Sequence, residues 1–577
     1  MEKEYCNPLD LEYKYQHYAG NAHREAADPT LVLFKGRYYL FASMSAGFFY
    51  SDNLTEWKWH ENRKLDMYRY APDVRQIGDW LYFCASTRKK PSAIWRTRDP
   101  LSDGFEKVSE PFAFWDPDLF EDDDGRVYFY WGCGNTEPLW GVELNRETMM
   151  PVGEKTACID HKEDEFGWER FNYPGKKAAG GRGLTGLAMR WLNRKGRPYI
   201  EGAFMNKWNG RYYLQYAAPG TEFHVYGDGC YVGSSPLGPF QPMANSPFSL
   251  KPSGFITGAG HGSTIEDKDG NLFHAATMRI SVNANFERRV GLFPCGLDED
   301  GLLYCCQGFG DYPTVLPEGK YSPKDLKQQY FLLSYKKKAE ASSSQDGHPA
   351  ELALNEDIRT WWAAQTSQAW YLLDLGHSCR PHSVQINFAD HKVAEMKVSR
   401  SERSDIMTNN RYIDSSAALK TRFVLEGSND RKNWFTVYDA SQSNEDRPHP
   451  YIVLDEKFEV RYLRLTVLEL PYGKVCALSG FRVFGRGQGS LPSETGGVIV
   501  QRDPDGMGCV IRFEPAGNAF GYLVRYGVRE DKLYSSWMVY EKTEVHLTTL
   551  NKGQKYFFTV DSFNENGVCE GTHIYRV

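Results

Sequence analysis

The stretch FWDPDLFEDDDGRVYFYWG, residues 114–132, decides how the first half of this chain is read. Six of the nine residues from Asp116 to Asp124 are acidic. A metal loop, a site for acid–base chemistry and a solvated turn can all begin with such a cluster. Spacing rejects the first. An EF-hand loop with Gly125 as its glycine would start at Phe120 and put Trp131 where a bidentate glutamate is needed. What remains is an alternating strand, an Asp-Gly turn and a second strand rich in aromatics, a strong short signal for a β-hairpin.

The hairpin has relatives on both sides: ADPTLVLFKGRYYLFAS (27–43), YAPDVRQIGDWLYFCAS (70–86), EGAFMNKWNGRYYLQYA (201–217) and HGSTIEDKDGNLFHAAT (261–277). Turn glycines fall at Gly36, Gly78, Gly125, Gly210 and Gly270. Five hairpins at intervals of roughly 40 residues or more predict a five-bladed β-propeller. The long gap between Gly125 and Gly210 holds an insertion around residues 160–200, expected to cross one face of the propeller.

Counting back from each glycine aligns one position per blade. Asp28 lies eight residues before Gly36, Tyr70 eight before Gly78, and Asp116, Glu201 and His261 each nine before their own glycine. Equivalent positions in a propeller form a ring around its axis. Three of the five are carboxylates, separated along the chain by 88 and 85 residues, so their shared register cannot come from one solvated face. Two carboxylates facing across a pocket are the apparatus of glycosidic hydrolysis, and a third near the acid keeps it protonated by like-charge repulsion. The plain alternative is that Asp28 and Asp116, each followed by proline, cap turns at strand starts. In the opening stretch, Asp118 is expected on the other face of its strand or as a weaker lining, and Glu121–Asp124 as the hairpin turn.

Bulk properties narrow the class. The chain has 577 residues, 41 % apolar and 25 % charged, with a net charge of −7, which gives no footing for nucleic acid. No apolar run is long enough to span a membrane. The start, MEKEYCNPLDLEYKYQ, has no apolar core of signal-peptide type, and the twelve cysteines include no CxxC pair. A cytoplasmic protein with reduced thiols is expected, although a clipped leader would look the same.

The set ADP (27–29), YAPDV (70–74), WDPDLFEDDDGRVYFYWG (115–132), EGAF (201–204) and GAGHGST (258–264) resembles glycoside hydrolase family 43. The resemblance covers roughly residues 20–310 and keeps the family's motif order. It implies a propeller of inverting glycosidases, with Asp28 as general base, Asp116 as the residue that tunes the acid, and Glu201 as general acid. Ala203 stands where the family usually has proline. His261 matches the axial histidine beside a bound ion or water, either as a ligand or as a satisfied core residue. The arginine that touches substrate is expected at Arg289 in FERRVGLFP, with Arg288 as the alternative. Tyr70 is an aromatic wall for the sugar or core packing, and Trp131 and Phe223 are further candidates for that wall.

Residues 354–376, 424–439 and 460–467 resemble the discoidin, or coagulation factor 5/8 C-type, sandwich. There Trp361, Trp362, Trp370 and Trp434 are expected mostly in the core. GRGQGSLPSETGG (485–497) reads as a flexible linker, and the remainder resembles a fibronectin type III sandwich. The expected organisation is all-β: a propeller over 1–335, a discoidin-like sandwich over 336–487 and a fibronectin-like sandwich over 488–577. The resemblance implies an exo-acting inverting glycosidase that removes terminal β-D-xylosyl or α-L-arabinofuranosyl residues from plant-derived oligosaccharides, with the base and acid carboxyls about 6.5–9.5 Å apart. No cofactor is required for that chemistry. A structural Ca2+ is allowed at the propeller centre or around Asn355 and Asp357. Two alternatives stay open: a galactose-directed enzyme of the same fold (a β-galactofuranosidase or β-1,3-galactosidase), and a non-catalytic carbohydrate-binding protein. Some galactan-cleaving members lack the first-blade Asp, so Asp28 weighs against that branch.

Overall fold

The computed structural model describes residues 3–577 apart from 19–20, 63, 66–69, 88–89, 171–196, 281–285, 396–399, 405–410, 414–418 and 456. Among the described residues the regular structure is strand, interrupted only by short 3-10 turns.

Between residues 27 and 305, five antiparallel sheets follow one another, each of four strands taken in chain order. Their inner strands are Ala27–Phe34, Asp73–Ile77, Asp118–Glu121, Glu201–Trp208 and Thr257–Glu266. All five predicted turn glycines have φ between 57° and 82°. Lys35–Gly36 and Asn209–Gly210 are two-residue turns with positive φ at both positions, between the pairs Phe34↔Arg37 and Trp208↔Arg211. That geometry matches the twist of the strands it joins. Asp122–Asp124 lie in a longer turn closed by the pair Glu121↔Val127. Most of the acidic cluster is therefore hairpin turn.

The blades are joined around the axis by their inner strands. Thr30 Oγ1 donates to Pro72 O (2.8 Å), Leu119 N to Asp73 Oδ2 (2.8 Å) and Met205 N to Asp118 Oδ2 (2.8 Å). Asn206 Nδ2 donates to Thr264 O (3.0 Å), and Leu31 N to Ser263 Oγ (2.9 Å), which closes the circle. An inner strand has no sheet neighbour on its axial edge, so its backbone groups need side-chain partners. Asp118 serves here: it is fully buried and paired with Arg75 Nη2 at 2.6 Å, on the axis. Aromatic clusters fill the wedges between blades, as where Phe34, Phe41 and Phe48 meet Val74, Leu81 and Phe83. This accounts for much of the aromatic content.

Two sandwiches follow. In the first, Tyr371, Leu373 and Leu465 of one five-stranded sheet share a core with Val384, Ile386 and Phe481 of the other. Its strand Phe331–Leu332 already pairs with Ala477–Gly485, ahead of residue 336. Of its four tryptophans only Trp362 is fully buried, and Trp370 is exposed. The second sandwich packs a three-stranded sheet against a five-stranded one.

Both sandwiches are tied to the propeller. The hairpin of Lys14–Tyr18 and Asn21–Glu25 pairs with Arg411–Ile413 of the middle unit. Beside it the buried Arg24 bridges Asp390 (3.0 Å) and Asp446 (2.6 Å). The third unit takes Val225 and Leu250 of the propeller into its own apolar core. The stretch 485–497, expected to be a flexible linker, is held against this third unit: Gly487 N donates to Glu565 O (2.8 Å) and Gly489 N to Asn566 Oδ1 (2.7 Å). A Cβ at Gly487 would meet Asn566 Oδ1 at 2.2 Å, so the close approach needs glycine. Of the insertion, residues 171–196 lie outside the described residues. The part before them reaches the third unit, where Gly167 N donates to Leu550 O at 3.0 Å.

Candidate active site

A left-handed residue stands inside the inner strand of each blade or two residues before it: Asp28 (φ 49°), Ala71 (45°), Asp116 (51°), Gly202 (62°) and His261 (47°). Such conformations cost about 1–3 kcal/mol each in side-chain-bearing residues and cluster at functional sites. Here they turn the chain so that side chains at the strand entrances project into one pocket. Asp116 and Asp118 would share a face in a regular strand. The turn at Asp116 separates them, one into the pocket and one onto the axis. Tyr70 and Glu201 each sit one residue before the left-handed position. The counted register is thus offset by one in those two blades.

Asp28 is buried among donors. Ser43 Oγ donates to its Oδ2 (2.6 Å), Arg288 Nη1 to its Oδ1 (3.0 Å), and its own N–H bonds Thr277 Oγ1 (2.7 Å). Burial pushes its carboxyl up. Arg288, then His261, then the two hydroxyls outweigh burial and hold it below the usual carboxylate range. Arg288 is held in turn by the fully buried Glu25, which accepts from its Nε at 2.6 Å.

Across the pocket, Asp116 is fixed by Ser86, which accepts from its N–H (2.9 Å) and donates to its Oδ1 (3.3 Å). Burial pushes the Asp116 carboxyl up to about 8, the Glu201 and Asp28 charges add to this, and His261 works against it. Glu201 receives the Cys133 thiol on Oε2 (3.1 Å) and the Tyr226 hydroxyl on Oε1. Donor atoms of Asp116, Cys133 and Glu201 all lie within 4.8 Å of one another. Gly202 lets His261 pack beside the acid, since a Cβ there would come 2.8 Å from the imidazole.

The Nδ1 of His261 faces Asp28 Oδ1 (3.5 Å) and Asp116 Oδ2 (3.8 Å), and the loop is pinned by Asp228, which accepts from the N–H groups of His261 and Gly262. Burial disfavours its charge, but the carboxylates of Asp28, Asp116, Glu201 and Asp228 win and raise its pKa. The imidazole nitrogen has carboxylates as its neighbours here. Calcium asks for six to eight oxygens, and among the described residues no group of three metal-capable side chains includes His261. The described residues around His261 do not assemble such a cage for the calcium allowed there. Nor do those around Asn355: both carboxylate oxygens of Asp357 are taken by Arg359 (2.7 and 2.9 Å).

The expected binding residues divide. Tyr70 borders the pocket, with the Arg288 guanidinium 5.7 Å from its ring centre and Met44 behind it. Arg289 does not reach the site. Its guanidinium is buried against His449 Nε2 (2.9 Å), Arg24 O (2.9 Å) and the Tyr13 ring. Successive strand residues point to opposite faces, so Arg288, and not Arg289, faces Asp28. Trp131 packs between blades against Phe112 (4.9 Å) and Phe129 (5.8 Å). Phe223 packs against the core of the third unit. Sequence reading missed Glu25, Cys133, Tyr226 and also Glu222, whose carboxyl is raised by burial and by nearby Glu201. Only the three-dimensional contacts single these out.

Residues 22–303 match the family model described as glycosyl hydrolases family 43. A β-xylosidase of Xylanibacter ruminicola is 27 % identical over 133 residues, which is 22 % of this chain and 38 % of the relative. A xylosidase/arabinosidase of Bacteroides ovatus is 27 % identical over 139 residues, again 22 % and 38 %. The chain thus spans well under half the length of either. A β-D-galactofuranosidase of Aspergillus niger is 23 % identical over 301 residues, 44 % of this chain and 74 % of the relative.

Proposed function

Since residues 22–303 form a family 43 glycosyl hydrolase domain, we propose that this protein is an inverting glycoside hydrolase that removes terminal β-D-xylosyl or α-L-arabinofuranosyl residues from plant-derived oligosaccharides. The observation that carries the proposal is the opposed electrostatics of two carboxyls in one pocket. Asp28 is held ionised by Arg288, while Asp116, beside Glu201, is pushed up to about 8. Groups whose environments drive their pKa values apart mark a proton-accepting side and a proton-holding side of one pocket. In this reading Asp28 takes a proton from water as the water oxygen bonds the anomeric carbon. Glu201 gives a proton to the glycosidic oxygen as its bond to that carbon breaks. Asp116 retains a proton at neutral pH and, with Cys133 and Tyr226, sets the orientation of Glu201. Arg288 and Tyr70 line the sugar's side of the pocket.

The sugar assignment draws on the two bacterial relatives, whose names are xylosidase and arabinosidase. A galactofuranoside is the second reading, favoured by the longer match to the Aspergillus niger enzyme. The test is hydrolysis of a panel of aryl glycosides (β-D-xylopyranoside, α-L-arabinofuranoside, β-D-galactofuranoside, β-D-galactopyranoside) by wild type, Asp28→Ala and Glu201→Ala. The proposal expects one strong substrate, lost in both variants. A wild type that cleaves none of them while binding a glycan would leave the chain a carbohydrate-binding protein.

A further inference from the structure

Cys133 is not explained by the acid–base scheme. It is half-buried, and its sulfur and a carboxylate oxygen from each of Asp116 and Glu201 all lie within 4.8 Å of one another. Its backbone is clamped on both sides. Gly132 N donates to Trp115 O (2.8 Å), next to Asp116. Gly134 exchanges hydrogen bonds with Ile200 (N to O, 3.2 Å; O from N, 3.1 Å), next to Glu201. The residue between the two glycines therefore spans from one catalytic carboxyl to the other. Its neighbour must be glycine, because φ at Gly132 is 148° and a Cβ there would meet Leu139 at 2.8 Å.

The sulfur's orientation follows from its partners. The Trp115 side chain hydrogen-bonds the sulfur, and an indole can only donate. The thiol's own proton is left for a carboxyl, and Glu201 Oε2 is 3.1 Å away. Burial first, then the charges of Asp116 and Glu201, push the thiol well above its usual range, so it remains a donor across the working pH.

We propose that Cys133 is a positioning residue: its thiol bridges Asp116 and Glu201 and, with Tyr226 on the opposite oxygen, fixes the Glu201 carboxyl for proton delivery. Its role rests on the glycosidase reading above, but the hydrogen bond itself does not. The ionisable groups facing this point are Asp116, Glu201, Tyr226, Glu222, His261 and, across the pocket, Asp28. The Cys133 side chain also hydrogen-bonds Asp116, which lowers the Asp116 pKa. Loss of the thiol therefore makes the site hold its proton more tightly and moves the alkaline limb of the rate profile to higher pH.

The test uses full-length protein and two readouts. Infrared spectra of wild type minus Cys133→Ser isolate the S–H stretch of Cys133 from the other eleven thiols. A band at lower frequency than a free thiol, moving up in Glu201→Gln, is expected. A band at the free-thiol position, or one indifferent to Glu201→Gln, overturns the proposal without any turnover being measured. In kinetics, Cys133→Ala should lower kcat about tenfold, the scale of one hydrogen bond to a charged group. KM should stay within about twofold, the alkaline limb should move up, and Cys133→Ser, which keeps a donor, should recover most of the loss. An unmoved alkaline limb and unchanged kcat in Cys133→Ala would also overturn it. Absence of hydrolysis by wild type would instead defeat the glycosidase reading, leaving the infrared result to decide the bridge.

Discussion

Replacing Arg288 by methionine removes the cation that touches Asp28 while keeping most of the side-chain volume. The guanidinium lies 3.0 Å from Asp28 Oδ1, and both side chains are about 95 % buried. At an effective dielectric near 20, a contact of about 4 Å is worth about 4 kcal/mol before desolvation is set against it. What remains for a carboxylate beside an arginine is about 1–3 pH units. The sign is fixed by which form works. Asp28 must be ionised to take a proton from water, Arg288 lowers its pKa, and burial alone would raise it. Arg288→Met should therefore move the acid limb of kcat/KM upward by about 1–3 pH units, with a tenfold loss for each pH unit below the new limb. The profile is measured from pH 3.5 to 9 on the best aryl glycoside. Stability follows the same sign: a depressed carboxyl stabilises the fold above its unfolded pKa and loses that contribution as pH falls, so the variant's melting temperature should depend less on pH in the acid range. A raised KM with an unmoved acid limb would refute the reasoning and leave Arg288 as a sugar contact only.

Asp116→Asn should lower kcat by at least about 100-fold, while Asp123→Asn should change it less than about twofold; Asp123 is 84 % exposed, and its partner Lys207, in the inner strand of the next blade, keeps Asp122 as a second acceptor. Wild-type kcat/KM should fall on the alkaline side with a midpoint near 8, as the proton held at Asp116 is lost, and a profile flat to pH 10 would contradict this. Gly202→Ala should cost about 1–3 kcal/mol in denaturant unfolding, because φ is 62° and the new methyl meets His261. The same variant should lower kcat on the order of 10- to 100-fold by moving the residue beside Glu201.

The propeller was legible because it is repetitive and local. Each hairpin glycine needs positive φ, each strand pair alternates, and five copies average out the noise of any one. The ring of Asp28, Asp116 and Glu201 was legible for the same reason, although the one-residue offset at Glu201 and Tyr70 was not, because it arises from turns of two or five residues in different blades. Arg288 and Arg289 are adjacent, and which one faces the pocket depends on strand register, a fact carried by the pairing Arg279↔Arg288 and not by FERRVGLFP itself. Glu25 supports the site from a hairpin shared with the middle sandwich, and Tyr226 from a loop whose neighbour Val225 belongs to the core of the third. Contacts between distant segments of that kind leave no spacing signal. They also give the sandwiches a part in holding the pocket's shape.

In the proposed reaction Asp28 activates water on the face opposite the bond that Glu201 helps to break. Proton NMR of the first-formed sugar during hydrolysis of an aryl glycoside tests it most directly, read before mutarotation mixes the anomers. The inverted anomer is expected, α-xylose from a β-xyloside. First appearance of the retained anomer would mean a covalent glycosyl intermediate and would contradict it.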